Sequence, residues 1–392
     1  MCSIGDDNFE DLDNLKYMPS KEKPSSFSKC NKCREAVPIV VLRSKDKYCR
    51  NCFLAGATHK FKATLGKHKL IRPNDRVLVV HKCGHPSTAL LHFIRTGLDL
   101  ETHKKLRFEP VVLFVEEHTH LPPTDRQELV RKVEKEVLQF EFQIYLTSLS
   151  KLITTKSVES VLYTNSDYLE LCKDDQTAVA EYVDQQLNET NKNDFLNIIK
   201  QKLLVKIAKH LSCKFVFTPE TSSDVASQLL TDISLGRGSH VSLNASFCDF
   251  RDEFVKTLRP LRLFDLKELA FYNHLNSLEP ITFRKIDENP YKSVQQLMKK
   301  FVNELQVNYP ATVTTILKTG DKLTLATKVT NKCDFCNAPI EEEQAELTSV
   351  ESTQFSHWVS TQTPEERYLV SGRTFNNLNC DNYCFACKKF CK

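Results

Sequence analysis

Two groups of cysteines carry the first chemistry in this chain. CNKC (Cys30, Cys33) and CRNC (Cys49, Cys52) are separated by fifteen residues. Two residues between thiolates let one tight turn present both sulfurs to a tetrahedral ion, and the strand-like VPIVVL between the pairs returns the chain. The spacing therefore predicts a zinc ribbon or treble-clef-like knuckle. A redox dithiol uses the same residue type but does not need two matched pairs. Near the other end, CDFC (Cys333, Cys336) is followed about fifty residues later by CDNYCFACKKFC, which holds Cys380, Cys384, Cys387 and Cys391. Four ligands suffice for zinc. Cys333, Cys336, Cys384 and Cys387 are favoured because they form two C-x2-C pairs, with EEEQAELTSVESTQ looped out between them. An iron–sulfur cluster would use the same thiolates, but paired knuckles suit a closed structural zinc site better. The expectation is two structural zinc ions. Cys2, Cys83, Cys172, Cys213 and Cys248 are isolated and read as small buried hydrophobes.

The second stretch able to do chemistry is HKCGHPST, which follows the apolar run Val77–Val80 and leads into an amphipathic segment. A loop between a strand and a helix is where a nucleotide-binding protein holds phosphate, because free amides and the helix dipole favour an anion there. This loop carries a proline and a cysteine, so the plain reading, a helix N-terminus capping the first strand, leads. Basic residues gather in HKFKATLGKHKLIR, where Lys60, Lys62, Lys67, Lys69 and Arg72 accompany one phenylalanine. Such a run suits contact with an RNA backbone, since phosphate attraction supplies affinity without reading sequence; it equally describes a solvated face. His118 and His120 in EEHTH stand at i and i+2, which do not share a helix face, and read as surface residues rather than a metal pair.

The elements that must position these residues alternate. Short apolar, β-branched or aromatic runs at 77–80, 111–115, 142–146 and 214–217 predict strands; helices are predicted over 86–95, 125–140, 178–187, 194–211 and 223–235. Alternation of this kind predicts a mostly parallel sheet with helices on both faces, and a ligand site at the carboxyl ends of the strands. A chain of 392 residues, 41% hydrophobic and 27% charged, is long enough for one large α/β domain with smaller modules attached. Fifty-four Lys and Arg against fifty Asp and Glu leave a net charge of only +4, so a nucleic-acid footprint has to come from local clusters. No run of about 18 apolar residues exists to span a membrane. The start, MCSIGDDNFEDLDNL, is acidic where a signal peptide would be basic and then apolar. The expectation is a soluble intracellular protein in which the closely spaced pairs among the fifteen cysteines bind metal rather than form disulfides.

Taken in order, the C-x2-C…C-x2-C knuckle, the basic bridge HKFKATLGKHKLIRP, the strand with its altered loop, LGRGSHVSLNA, RPLRLFDLKELAFYN and the C-terminal knuckle resemble the cytoplasmic tRNA 2-thiolation protein 2 family. The resemblance implies a Rossmann-like domain of the PP-loop ATPase superfamily. It also implies a catalytic homologue as partner, in a heteromer that 2-thiolates the wobble uridine (mcm5s2U) of tRNAs for lysine, glutamate and glutamine. The implied sulfur donor is a thiocarboxylated ubiquitin-like protein. An active PP-loop reads S-G-G-x-D-S, and the matching residues are Lys82, Cys83, Gly84, His85, Pro86 and Ser87. Only Gly84 and Ser87 agree. Pro86 replaces the acid and offers no N–H to a phosphate, while Cys83 restricts a backbone that glycine would have left free. The expectation is no catalytic residue and no ATP-dependent adenylation here, with a remnant phosphate contact through Lys82, Gly84 and Ser87 left open.

Gly236-Arg237-Gly238 resembles the family's GRG element, whose arginine would grip phosphate or a partner chain bidentately; a turn after a helix explains the glycines almost as well. In RPLRLFDLKELAFYN, Arg259 and Lys267 are candidates to face RNA, and Leu261, Leu266, Leu269 and Phe271 are expected in the core. The RNA-binding set is therefore Lys60, Lys62, Lys67, Lys69, Arg237 and Arg259. The expected organisation is a flexible acidic and polar tail (1–27), the N-terminal zinc knuckle (28–56), a basic helical bridge (57–76) and the degenerate PP-loop α/β domain (77–285). A helical segment (286–330) and the C-terminal zinc module with its inserted acidic loop (331–392) complete it. Two alternatives remain: a self-sufficient ATP-dependent tRNA thiolation enzyme, and a zinc-knuckle interaction adaptor. A RING-type adaptor needs eight interleaved ligands in one compact module, whereas these two groups lie about 280 residues apart.

Overall fold

The computed structural model describes residues 29–43, 45–102, 105–118, 121–149, 162–164, 188–282, 289–323, 331–340, 349–361 and 382–390. The 1–27 tail, the helix expected over 178–187, Cys2, Cys172, His120, Cys380, Cys391 and most of the acidic excursion lie outside the described residues. The chain divides into two compact units, Met1–Ala55 and Gly56–Lys392.

The first unit is built on a hairpin. β1 (Val40–Leu42) pairs antiparallel with β2 (Asp46–Tyr48), in the register Val40 opposite Tyr48. Ahead of it, the turn holding the first cysteine pair closes when the Arg34 amide donates to the Cys30 carbonyl at 2.9 Å, with Arg34 in the left-handed region at φ 59°. The second pair sits where β2 gives way to α1 (Arg50–His68), the helix inside which the unit boundary falls.

In the second unit β3 (Arg76–His81), α2 (His85–Leu98), β4 (Glu109–Glu116), α3 (Pro123–Gln139) and β5 (Gln143–Ser148) form successive βαβ steps. α4 (Glu189–His210), β6 (Phe215–Phe217), α5 (Ser222–Ser234), a short α6 (Val241–Ala245), β7 (Cys248–Asp249), β8 (Lys256–Leu258) and α7 (Leu266–Leu275) follow. The six-stranded sheet has the order β5-β4-β3-β6-β8-β7; all neighbours are parallel except the edge pair β7–β8. Val77 to Val80 are buried on both faces, which is why β3 reads as an unbroken apolar run rather than an alternating one. One face packs Leu78, Val80, Val111, Leu113 and Val216 against Ile207 and Leu211 at the C-terminal end of α4. On α2, Phe93 stacks with Phe61 of α1 (4.9 Å between ring centres) and with Tyr272 of α7 (4.1 Å).

β7 and β8 have no clear signature in the sequence. β8 is KTL, short and half polar, and it becomes a strand through its pairing with β6. Beyond the sheet, α8 (Val294–Asn308) and α9 (Pro310–Lys322) pack on α5, with Val225, Leu229, Val302, Val313 and Leu317 as their shared core. The short hairpin β9 (Asn331–Lys332) and β10 (Pro339–Ile340), with the turn of 3-10 helix Phe385–Phe390, forms the C-terminal cysteine module. No helix among the described residues is long and apolar enough to cross a membrane.

Candidate nucleotide loop and cysteine metal centres

β3 lies at the point where successive strands diverge, β4 and β5 to one side and β6 and β8 to the other. In such a sheet the crevice beyond the carboxyl ends of the two central strands is the ligand position. Residues 82–87 occupy it. Cys83 (φ 58°) and Gly84 (φ 81°) both adopt the left-handed region, so the site of the lost glycine carries a side chain in a conformation that costs about 1–2 kcal/mol. Three of the loop amides before the helix are already used. Lys82 donates to Ser87 Oγ (2.9 Å), Cys83 to His81 Nδ1 (3.3 Å), and Gly84 to the Ile281 carbonyl (2.7 Å). Pro86 has none, and the Ser87 and Thr88 amides turn inward to the Gly84 carbonyl.

A charge occupies the seat as well. The carboxylate of Glu220, between β6 and α5, receives Lys82 Nζ at 3.2 Å and Arg259 Nε at 3.3 Å, and accepts from Thr218 Oγ1 at 2.6 Å. Burial works to raise its pKa, but Lys82 and Arg259 overcome that and hold it below the usual carboxylate value. Two cations and a hydroxyl, the groups that would hold a phosphoryl oxygen at this position, hold an internal carboxylate instead. Below the loop, Glu136 of α3 accepts from Thr88 and lies 3.4 Å from His81 Nε2. The Cys83 thiol is pushed up by burial and by Glu136, and burial raises Cys213 to about 11 and Cys248 to about 12. None of these three is a ready thiolate nucleophile.

Both predicted cysteine sets converge. Cys30, Cys33, Cys49 and Cys52 bring their sulfurs within 4.8 Å of one another, and so do Cys333, Cys336, Cys384 and Cys387. The separations Cys33–Cys49 (4.0 Å) and Cys336–Cys384 (3.7 Å) are far beyond a disulfide. They lie near the ~3.8 Å edge of a tetrahedron whose corners stand ~2.3 Å from one central ion. A four-iron cluster places its cysteines on four different irons and so needs a wider cage than either set forms. Backbone donation by Cys33 leads in lowering Cys30 to about 6, while hydrogen bonding to Cys49 and burial push Cys52 up to about 12. In the C-terminal set, contacts with the other three sulfurs lower Cys333 and raise Cys387. Four thiolates cannot share such a space without a cation, so each donor set fits one divalent, thiophilic ion such as zinc.

The basic residues are less uniform than their spacing implied. Lys67 and Lys69 are exposed and Lys62 is half-buried. Lys60 reaches inward to Glu268 (2.7 Å) and lies 4.4 Å from the centre of the Phe264 ring. Arg237 and Arg259 differ more sharply from expectation. Arg237, with 4% of its side chain exposed, pairs with Asp194 at 2.6 Å. Arg259 donates to the Ser246 carbonyl (2.9 Å) besides gripping Glu220. Both guanidiniums are consumed inside the protein, which removes them from any RNA-facing surface. Leu261 and Leu269 are buried as expected and Phe271 is half-buried. Leu266 differs: it starts α7 just after its cap and is 49% exposed, and Phe264 fills the core in its place. His118 Nδ1 sits 3.6 Å from Glu116. Glu220, Asp194 and the Ile281 carbonyl do not stand out in the sequence. For Glu220 a signal exists: it precedes the capping box of Thr221 and Asp224, which marks a strand-to-helix turn parallel to that of residues 82–87.

A mostly parallel sheet in this order, with a strand-to-helix loop at its divergence point and two tetrathiol groups in the same chain, defines an α/β protein of PP-loop type. The fold is similar to that of the U34-tRNA thiolase NcsA from Methanococcus maripaludis, solved with its 4Fe–4S cluster; the TM-score is 0.57, covering 84% of this chain and 96% of that one. At 16% identity this likeness concerns the fold alone. Residues 293–389 match the family described as cytoplasmic tRNA 2-thiolation protein 2. Proteins of that name from Aedes aegypti and Xenopus tropicalis are 31% and 29% identical, the first across 92% of this chain and 87% of its own length, the second across 84% and 76%. The chain belongs to the cytoplasmic tRNA 2-thiolation protein 2 family.

Proposed function

We propose that this chain is a non-catalytic subunit of a cytoplasmic complex that 2-thiolates the wobble uridine of tRNAs for lysine, glutamate and glutamine. A catalytic PP-loop homologue adenylates the uridine at C2, and a thiocarboxylated ubiquitin-like protein supplies the sulfur that replaces the activated oxygen. This chain stabilises the homologue and helps hold tRNA. The observation that carries the non-catalytic assignment is the filled phosphate seat: Gly84 donates to Ile281, and Lys82 and Arg259 hold Glu220. ATP binding there would compete with these contacts for Gly84, Lys82 and Arg259.

Two zinc ions, one in each cysteine set, serve structure. Zinc bound by four cysteines has no open position for a substrate, so its contribution is to fold each module. The tRNA backbone runs past the exposed end of α1, where Lys62, Lys67 and Lys69 lie; Lys60 is held by Glu268 and contributes charge from behind. The deciding experiment purifies the native complex, identifies the co-purifying chains and measures ATP–pyrophosphate exchange. A partner with an intact S-G-G-x-D-S loop, and exchange in the complex but not in the isolated chain, is the expected result. Exchange and tRNA thiolation by the isolated chain would overturn it and favour the self-sufficient enzyme.

A further inference from the structure

The arginine of the GRG element points away from solvent and toward the C-terminal cysteines, between two exposed glycines. Arg237 Nη1 lies 3.9 Å from Cys387 Sγ, Nη2 donates to Asp194 Oδ2 at 2.6 Å, and Nε lies 3.9 Å from Asp232 Oδ1. Asp194 also takes Lys389 of the module at 2.7 Å. Gly236, at φ 79°, runs so close to Phe385 that an added Cβ would stand 2.8 Å from its ring. A second arginine, Arg251 in the β7–β8 turn, lies within electrostatic reach of Cys336 and is fixed by Asp249 (Nε to Oδ2, 2.9 Å). Phe195 of α4 stacks on Phe335 at 5.4 Å, and Ile198 joins the apolar cluster that encloses the sulfurs.

Four thiolates around one divalent ion leave two negative charges in excess, and Cys333, Cys336, Cys384 and Cys387 are all buried. Water cannot compensate a charge held there, so the protein has to. We propose that Arg237 is the positioning residue of the C-terminal metal centre. Held by Asp194, its guanidinium donates to Cys387 Sγ and offsets the excess charge, so that metal retention and seating of the module on the α/β domain are one event. The planar fork matters because one side chain meets two separate acceptors, Asp194 and Cys387, with the Asp232 carboxylate alongside, which a lysine ammonium cannot match in direction. This rests on the reading that the C-terminal set holds a metal.

The test uses the full chain loaded with 113Cd, which reports each tetrathiolate centre as a separate NMR resonance. Cys387→Ser identifies the C-terminal one by its loss. In Arg237→Met that resonance should move, and release of the ion to a chelator should accelerate on the order of 10- to 100-fold, while the N-terminal resonance and release rate stay unchanged. Arg237→Lys, which keeps the charge, should recover most of the retention but not the original resonance position. An unmoved resonance with unchanged release in Arg237→Met overturns the proposal. Equal losses in the Met and Lys variants overturn it too, since they would make Arg237 a packing residue. A wild-type chain with no C-terminal cadmium resonance removes the metal reading itself, and this inference with it.

Discussion

Glu220 does at the mouth of the loop what a bound phosphate does in a working one: it gives two cations a common anion. Removing it makes a specific expectation. Glu220→Ala should leave Lys82 and Arg259 facing an empty seat and lower stability by about 1 kcal/mol, because the pair is partly exposed and screened. Inorganic phosphate should restore part of the melting temperature in the variant and leave the wild type unmoved. The sign of the pH dependence follows from its depressed pKa. The contribution of Glu220 is present above its unfolded value of 4.5 and is lost as pH falls through the lower folded value. An acid titration of the melting temperature in wild type and Glu220→Gln checks it; parallel curves would refute it. A second residue-scale expectation concerns Gly236. Gly236→Ala combines a left-handed backbone with a Cβ 2.8 Å from Phe385 and should cost about 1–3 kcal/mol, whereas Gly238→Ala meets open space and should be nearly neutral. Thermal unfolding of the two variants separates them.

Among the elements, α4 has the widest reach. Its C-terminal turns bury Ile207 and Ala208 against the sheet, and its N-terminal turns offer Asp194, Phe195 and Ile198 to the cysteine module. Among the described residues, the segments that carry the module's cysteines are a hairpin of two residues per strand and one 3-10 turn, too little to bury a core unaided; the other element there is the helix Ser349–Thr361. On the proposed reading a zinc ion in each cysteine set supplies the difference, since structural zinc contributes on the order of 10–16 kcal/mol to such units. Elemental analysis should therefore find two zinc ions per chain, and Cys30→Ala should unfold the N-terminal knuckle rather than loosen it. Less than one zinc in intact protein would reject this. Between β4 and α3, Arg126 and Glu116 form a buried ion pair. Arg126→Met leaves that carboxylate without its main countercharge and should destabilise by about 3–5 kcal/mol, read by chemical denaturation.

At the scale of the whole molecule the net charge of +4 is too small to hold RNA by itself, so the proposed tRNA contact rests on the local cluster at the end of α1. Neutralising Lys62, Lys67 and Lys69 together should weaken tRNA binding by the assembled heteromer equally for cognate and non-cognate tRNA. The slope of log affinity against log salt should flatten by roughly 0.7–0.9 for each phosphate no longer neutralised. Lys60→Ala should change the slope less than Lys67→Ala or Lys69→Ala, since its ammonium is already paired with Glu268. Unchanged affinity and slope in a triple variant that still assembles would make this cluster a solvated face.

The sequence by itself determined what depends on near neighbours. The parallel strands at 76–81, 109–116, 143–148 and 215–217 were legible within two residues or so, because burial on both faces demands unbroken apolar runs. The two cysteine sets were legible because a C-x2-C turn fixes half of each cage locally. The proline at the head of α2 and the side chain at the loop's tight turn were legible from Pro86 and Cys83. Tertiary structure alone decided where the long cationic side chains point. Arg237 finds Asp194 and Cys387 at sequence distances of 43 and 150 residues, and Arg259 finds Glu220 across the strand ends. A basic residue has the same letter whether it meets phosphate or a buried carboxylate. Its flexible stem lets the nearest unpaired anion choose, and that anion is set by the fold.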